Sequence, residues 1–124
     1  TQTFPSVTAT LAALTVEDQT LTGGVRVTSK DQGTVSSGTL TVDCGDRPLQ
    51  FFTNNGAFTF AAPSNDGSCI YLMTNGASAG TVTFSGFSVG GNVGDSVNTT
   101  NTNKFSIQVW RINGTSRYLV SAHQ

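Results

Sequence analysis

Phe51-Phe52-Thr53-Asn54-Asn55-Gly56-Ala57-Phe58-Thr59-Phe60 is the stretch that decides the fold class. Asn-Gly supplies the positive φ angles that a type I′ hairpin turn requires at its two central residues. Aromatic residues and threonine on either side suit a pleated, half-buried surface. The stretch therefore predicts a hairpin with aromatic neighbours across its two strands.

The same reading extends in both directions. Downstream, Pro63 through Gly67 reads as a loop, and Cys69 to Met73 is a nearly continuous apolar run that predicts a strand covered on both faces. Asn75-Gly76 closes that run, and Thr81-Val82-Thr83-Phe84 alternates until Gly86. Phe105, Ile107 and Val109 alternate with Ser106, Gln108 and Trp110, Asn113-Gly114 makes a second hairpin turn, and Tyr118-Leu119-Val120 is the last strand. Upstream, Leu40, Val42 and Cys44 alternate with Thr39, Thr41 and Asp43, so that one face is apolar and one wet. Asp31-Gln32-Gly33 reads as a turn, and Val25 and Val27 alternate with Arg26 and Thr28 as a short strand.

About eight short strands with regular turn signals predict an all-β chain, an antiparallel β-sandwich or jelly-roll-like small barrel. Residues 23–124 form this domain, and residues 1–22 an N-terminal arm or edge segment. The Gly- and Asn-rich stretch from Gly90 to Asn103 is either a long loop or one weak strand around Asp95 to Thr99. Inward positions are Val25, Val27, Leu40, Val42, Phe58, Phe60, Ile70, Leu72, Val82, Phe84, Phe105, Ile107, Val109 and Leu119.

Composition narrows the function classes. The 124 residues suit one domain. Only 10% are charged, against about 25% in ordinary domains, and threonine, serine and asparagine supply the polarity instead. A net charge of −1 without a basic stripe argues against nucleic-acid binding, which needs clustered Lys and Arg. No apolar run approaches the roughly 18 residues that span a bilayer, and Thr1 to Val7 lacks the pattern of a signal peptide.

Catalysis needs converging titratable groups, and the inventory is poor. The one histidine, His123, is next to the last residue, and no Gly-x-Ser-x-Gly elbow accompanies the serines. Asp43 and Asp46 flank Cys44-Gly45 and form a glycosidase pair on paper, but Asp beside Gly more often caps a turn. The expectation is a chain that is not an enzyme and carries no cofactor. Two cysteines and a terminal histidine are too few for zinc, and no repeated Asp motif suits calcium. Cys44 and Cys69 are either a disulfide, worth about 3 kcal/mol, or two buried free thiols. Asn98-Thr99-Thr100 and Asn113-Gly114-Thr115 match the glycosylation sequon, and Asn113 already has a turn role. Among the aromatics, Phe87 and Trp110 are the candidate interface or ligand contacts, because Trp110 falls on the polar face of its strand.

A family pattern runs through Gly33-Thr34, Ser37-Gly38-Thr39-Leu40-Thr41-Val42-Asp43, Gly45-Asp46-Arg47-Pro48-Leu49-Gln50, Thr53 to Ala61, Asn75 to Gly80, Phe105 and Leu119-Val120-Ser121-Ala122. It covers about three-quarters of the chain and resembles small β-rich virion proteins and head- or tail-fibre modules of tailed bacteriophages, notably those infecting α-proteobacteria. The resemblance implies a homotrimeric capsid decoration or spike protein that sits on the particle surface after synthesis in the bacterial cytoplasm. Its partners would be the major capsid protein or other virion proteins, with residues 1–22 as a docking arm. The alternative is a fibre module that binds a host receptor or surface glycan through Phe87, Trp110 and the loop from Asn92 to Asn103. The resemblance carries over no catalytic residue.

Overall fold

The computed structural model describes Thr20 and residues 22–123. Eight strands account for the regular structure of these residues: β1 (Lys30–Val35), β2 (Thr39–Thr41), β3 (Leu49–Asn54), β4 (Phe58–Ala61), β5 (Gly67–Asn75), β6 (Val82–Ser85), β7 (Lys104–Ile112) and β8 (Thr115–His123). They form a five-stranded sheet in the order β1-β3-β5-β7-β8 and a three-stranded sheet in the order β2-β4-β6. The all-β expectation and the strand number hold. The antiparallel expectation holds only for β5–β7 and β7–β8, since β1, β3 and β5 run parallel, as do β2, β4 and β6. From β1 to β7 the chain thus alternates between the sheets and returns one strand further along each time. The first six strands are three coils of a flattened solenoid, and the β7–β8 hairpin widens the larger sheet.

The two Asn-Gly pairs that read as hairpin turns, Asn55-Gly56 and Asn113-Gly114, explain the difference. Asn113 and Gly114 have φ of 50° and 77° and join β7 to β8 as the expected hairpin. Asn55 and Gly56 have no positive φ, and the strands they join lie in opposite sheets. They form a corner, held by the preceding residue. Asn54 is fully buried. Its Oδ1 accepts from the backbone N–H of Gly56 (3.3 Å) and Gly80 (3.2 Å), and its Nδ2 donates to Gly80 O (2.9 Å) and Asn75 Oδ1 (3.2 Å). Asn75, its partner in the next coil, donates to Asn98 O (2.8 Å) and Thr100 O (3.0 Å). Successive corners stack backbone on backbone: a Cβ on Gly56 would lie 2.1 Å from Ser36 O, and one on Gly80 2.0 Å from Ala57 N. Only glycine fits there.

Between the sheets lies one aromatic core. Phe60 of the smaller sheet meets Tyr71 of the larger edge to face, with ring centroids 5.3 Å apart, and Phe52 meets Phe58 at 5.6 Å. Val42, Cys69, Met73, Phe105, Ile107, Val109 and Val120 complete it. Cys44 and Cys69 form a disulfide, so of the two open readings the bonded one applies.

Several local expectations change. In the run from Cys69 to Met73, Cys69, Tyr71 and Met73 are buried, while Ile70 is 41% exposed and Leu72 half-buried, because only one face of β5 meets the other sheet. Val120, not Leu119, points into the core. Asp31-Gln32-Gly33 lies inside β1 as a bulge, with the Gly33 N–H donating to Asp31 Oδ1 (2.7 Å). Val25 and Val27 belong to no strand and are 72% and 43% exposed; period-two alternation makes a strand only where a neighbouring edge is there to pair with. Gly90 to Asn103 is a loop whose single bridge joins Gly94 to Val120. The arm or edge segment of residues 1–22 lies outside the described residues, apart from Thr20 and Thr22, which belong to no strand.

The two ends of the larger sheet differ. The outer edge of β8 is covered by the segment from Ser88 to Asp95: Ser88 N–H donates to Ser116 O, Val120 N–H to Val93 O, and Asp95 N–H to Val120 O. At the other end, among the described residues, β1 pairs only with β3 and β2 only with β4.

Candidate functional site

The outward face of the five-stranded sheet is the most unusual surface of the molecule. Alternation within β3 and β5 sends Gln50, Phe52, Tyr71 and Met73 inward and Leu49, Phe51, Ile70 and Leu72 outward. Strand register aligns Leu49, Ile70, Gln108 and Leu119 in one row, and Phe51, Leu72, Ser106 and Ser121 in the next. Leu49, Phe51 and Ile70 are 41%, 37% and 41% exposed. Contiguous apolar residues on an uncovered sheet face mark an interaction surface more often than scattered ones do.

Trp110 lies on the same face, in a row with Ser68 and Arg117. It borders a cleft of about 220 Å³ that Arg117, Tyr118 and the loop from Ser88 to Val93 also line. The hydrogen bonds of that loop to β8 form one wall. A substituent at Gly94, whose φ is +87°, would lie 2.1 Å from Val120 O and prise the wall away. Phe87 is half-buried and packs inward, 4.9 Å from Tyr118 and 6.3 Å from Phe60 and Phe84 between ring centroids. Of the two aromatic candidates, then, Trp110 lines the cleft, and Phe87 supports Tyr118 from behind.

Among the described residues the acidic side chains hold turns, a strand edge and an exposed ion pair. Gly45 N–H donates to Asp43 Oδ1 (2.9 Å), and Asp46 pairs with Lys30. Asp66 accepts from Arg111 Nη1 (3.2 Å) and from the N–H groups of Asn113 (3.0 Å) and Gly114 (3.2 Å), and Asp95 Oδ2 accepts from Ala122 N–H (2.8 Å). A shallow cleft of about 370 Å³ beside the disulfide is lined by Asp43 and Asp66 but not by Asp46. Among the described residues no three His, Cys, Asp or Glu side chains gather as a metal site, and no helix is long and apolar enough to cross a membrane. One contact escaped the sequence reading: His123 Nε2 lies 2.6 Å from Ser106 Oγ, because β7–β8 pairing puts Lys104 opposite His123 and Ser106 opposite Ser121. This pair is exposed and lines neither of these clefts.

Tyr71 and Tyr118 titrate above the ordinary range of a tyrosine. Burial raises the Tyr71 phenol above its usual range, although its oxygen accepts a hydrogen bond from Asp43 N–H (3.2 Å), and burial raises Tyr118 as well. The fold favours the neutral phenols, so this contribution is fully present below about pH 10, the value in the unfolded chain, and is lost as pH rises through the higher folded values. Urea midpoints measured between neutral and strongly alkaline pH should stay level on this account up to about pH 10 and fall above it. Phenolate absorbance should lag that of free tyrosine.

Comparison of the chain with protein-family models, with curated proteins and with solved structures finds no match.

Proposed function

We propose that the chain is a non-enzymatic structural subunit of a bacteriophage virion, a homotrimeric decoration or spike protein on the particle surface. The observation that carries this reading is the outer face of the larger sheet, where Leu49, Phe51 and Ile70 present exposed apolar area on a disulfide-linked scaffold. Only 10% of the chain's residues are charged, so covering such a face with another virion protein costs less desolvation than it would on an ordinary surface. The likeness of residues 33–124 to small virion proteins points the same way. Phage particles assembled with and without the chain test it. The wild-type chain should bind and the Leu49→Lys/Ile70→Lys double variant should lose at least tenfold in affinity, with unfolding shifted by less than about 1 kcal/mol because both sites are exposed. A chain that is strictly monomeric and ignores assembled particles would overturn the proposal.

The cleft beside Trp110 favours a second reading, a fibre module that binds a host receptor or glycan. An indole flanked by Arg117 and a glycine-rich loop offers a stacking surface and donors to a sugar ring. A glycan array should then show binding that Trp110→Ala abolishes while the urea midpoint stays in place. An array with no bound glycan removes this reading and leaves the first.

A further inference from the structure

The open end of the solenoid matches a segment that precedes it. Thr15-Val16-Glu17-Asp18-Gln19-Thr20-Leu21-Thr22 repeats Thr34-Val35-Ser36-Ser37-Gly38-Thr39-Leu40-Thr41 at a distance of nineteen residues, with five of eight positions identical. The later copy is the end of β1, the corner and the whole of β2. Nineteen is also the step from the first coil to the second, where Thr34 pairs with Thr53. The seven residues from Gly23 to Ser29 equal in number the seven from Val42 to Pro48 that lead from β2 to β3.

Two inward rows end unfinished at this edge. Val35 heads the row of Asn54 and Asn75, and Leu40 heads the row of Phe60 and Phe84. Both Val35 and Leu40 pack against the core yet are only half-buried. The repeat places Val16 over Val35 and Leu21 over Leu40, which continues each row by one residue of the same kind. Parallel strands with one bare side are ready acceptors for an added strand, and stacked repeats need a cap at each end. The β8 end has its cap in the segment from Ser88 to Asp95. The β1–β2 end has none among the described residues, where Thr20 and Thr22 are exposed and outside any strand.

We infer that residues Thr15 to Thr22 of one copy add as a further coil to the β1–β2 edge of the next copy, in parallel and in register with Thr34 to Thr41. Thr20 and Thr22 lie on the same chain as β2 yet belong to no strand, and a segment that matches an edge without pairing to it is the arrangement from which exchange between copies follows. Head-to-tail exchange that closes on itself gives a ring, so this inference rests on the multimeric subunit proposed above and names the contact that joins its copies.

Cross-linking tests it. Register places Thr20 beside Thr39, so full-length Thr20→Cys and Thr39→Cys chains, mixed and oxidised, should give a disulfide-linked species of twice the chain mass. In parallel, the Val16→Asp/Leu21→Asp variant should sediment as a monomer that still unfolds cooperatively in urea. If the mixed chains fail to cross-link while the Thr20→Cys/Thr39→Cys chain closes on itself, the segment docks within its own molecule and exchange is overturned. Absence of any cross-link overturns docking altogether. A chain that multimerises and binds particles but gives no cross-link leaves the virion reading standing and removes only this contact.

Discussion

Replacing Asn54 by leucine should destabilise the fold by about 4 kcal/mol, whereas replacing its neighbour Asn55 by alanine should cost about 1 kcal/mol. The contrast follows from what each amide holds. Asn54 makes four hydrogen bonds in a site sealed from solvent, and leucine of similar volume makes none of them. The N–H groups of Gly56 and Gly80, the carbonyl of Gly80 and Oδ1 of Asn75 would then lose a partner together. Each such orphan costs about 1–3 kcal/mol where water cannot reach it, and the members of a buried network fail jointly. Asn55 instead is half-buried and accepts a single bond, from Ser78 N–H (3.1 Å). Urea denaturation of both variants measures the difference. A cost below about 1 kcal/mol for Asn54→Leu would mean that stacked backbone, not the asparagine ladder, holds the corners.

That ladder also marks where the sequence was legible. Composition and period-two alternation carry the all-β class and the approximate strand number, because both depend on local fit to a pleated surface. Pairing direction has no such local signature. Asn-Gly reads as a hairpin in both places, yet only Asn113-Gly114 adopts the two positive φ angles. At Asn55-Gly56 the chain follows the buried side chain of Asn54 around a corner, and the glycine is required by the Ser36 carbonyl of the coil before it. That requirement arises between residues twenty positions apart, beyond the reach of any turn rule. The signal that announces coils is a repeat near twenty residues, such as Thr15-Val16 and Thr20-Leu21-Thr22 returning as Thr34-Val35 and Thr39-Leu40-Thr41.

The candidate site was half legible for a related reason. Trp110 was found because it breaks the polar face of β7, where a single aromatic stands out. Ile70 and Leu72 were hidden because a continuous apolar run suits a strand buried on both sides as well as one with a bare apolar face. Only the position of the second sheet decides, and it covers Tyr71 and Met73 alone. The hydrogen bond between Ser106 and His123 likewise depends on hairpin register, which loop type at Asn113-Gly114 fixes and composition does not.

Removing the disulfide, as Cys44→Ser with Cys69→Ala, should lower stability by about 3.5 kcal/mol, the loop-closure term for a separation of 25 residues. Where the loss falls is the more telling result. In a stack of coils each coil touches only its neighbours, so stability is shared between adjacent pairs and an end coil can fray. Cys44 follows β2 in the first coil, and Cys69 lies in β5 of the third, so the bridge spans the second coil and ties the open end to the centre of the larger sheet. With it, opening β1 and β2 requires disturbing β5, which sits between β3 and β7. Without it, β1 and β2 can separate while the β5–β7–β8 core persists. Hydrogen exchange should therefore show protection lost first and most in β1 and β2 of the variant, with β7 and β8 close to the wild type. A uniform loss across all eight strands would mean that the molecule opens as one unit, and that the bridge acts only on the unfolded chain.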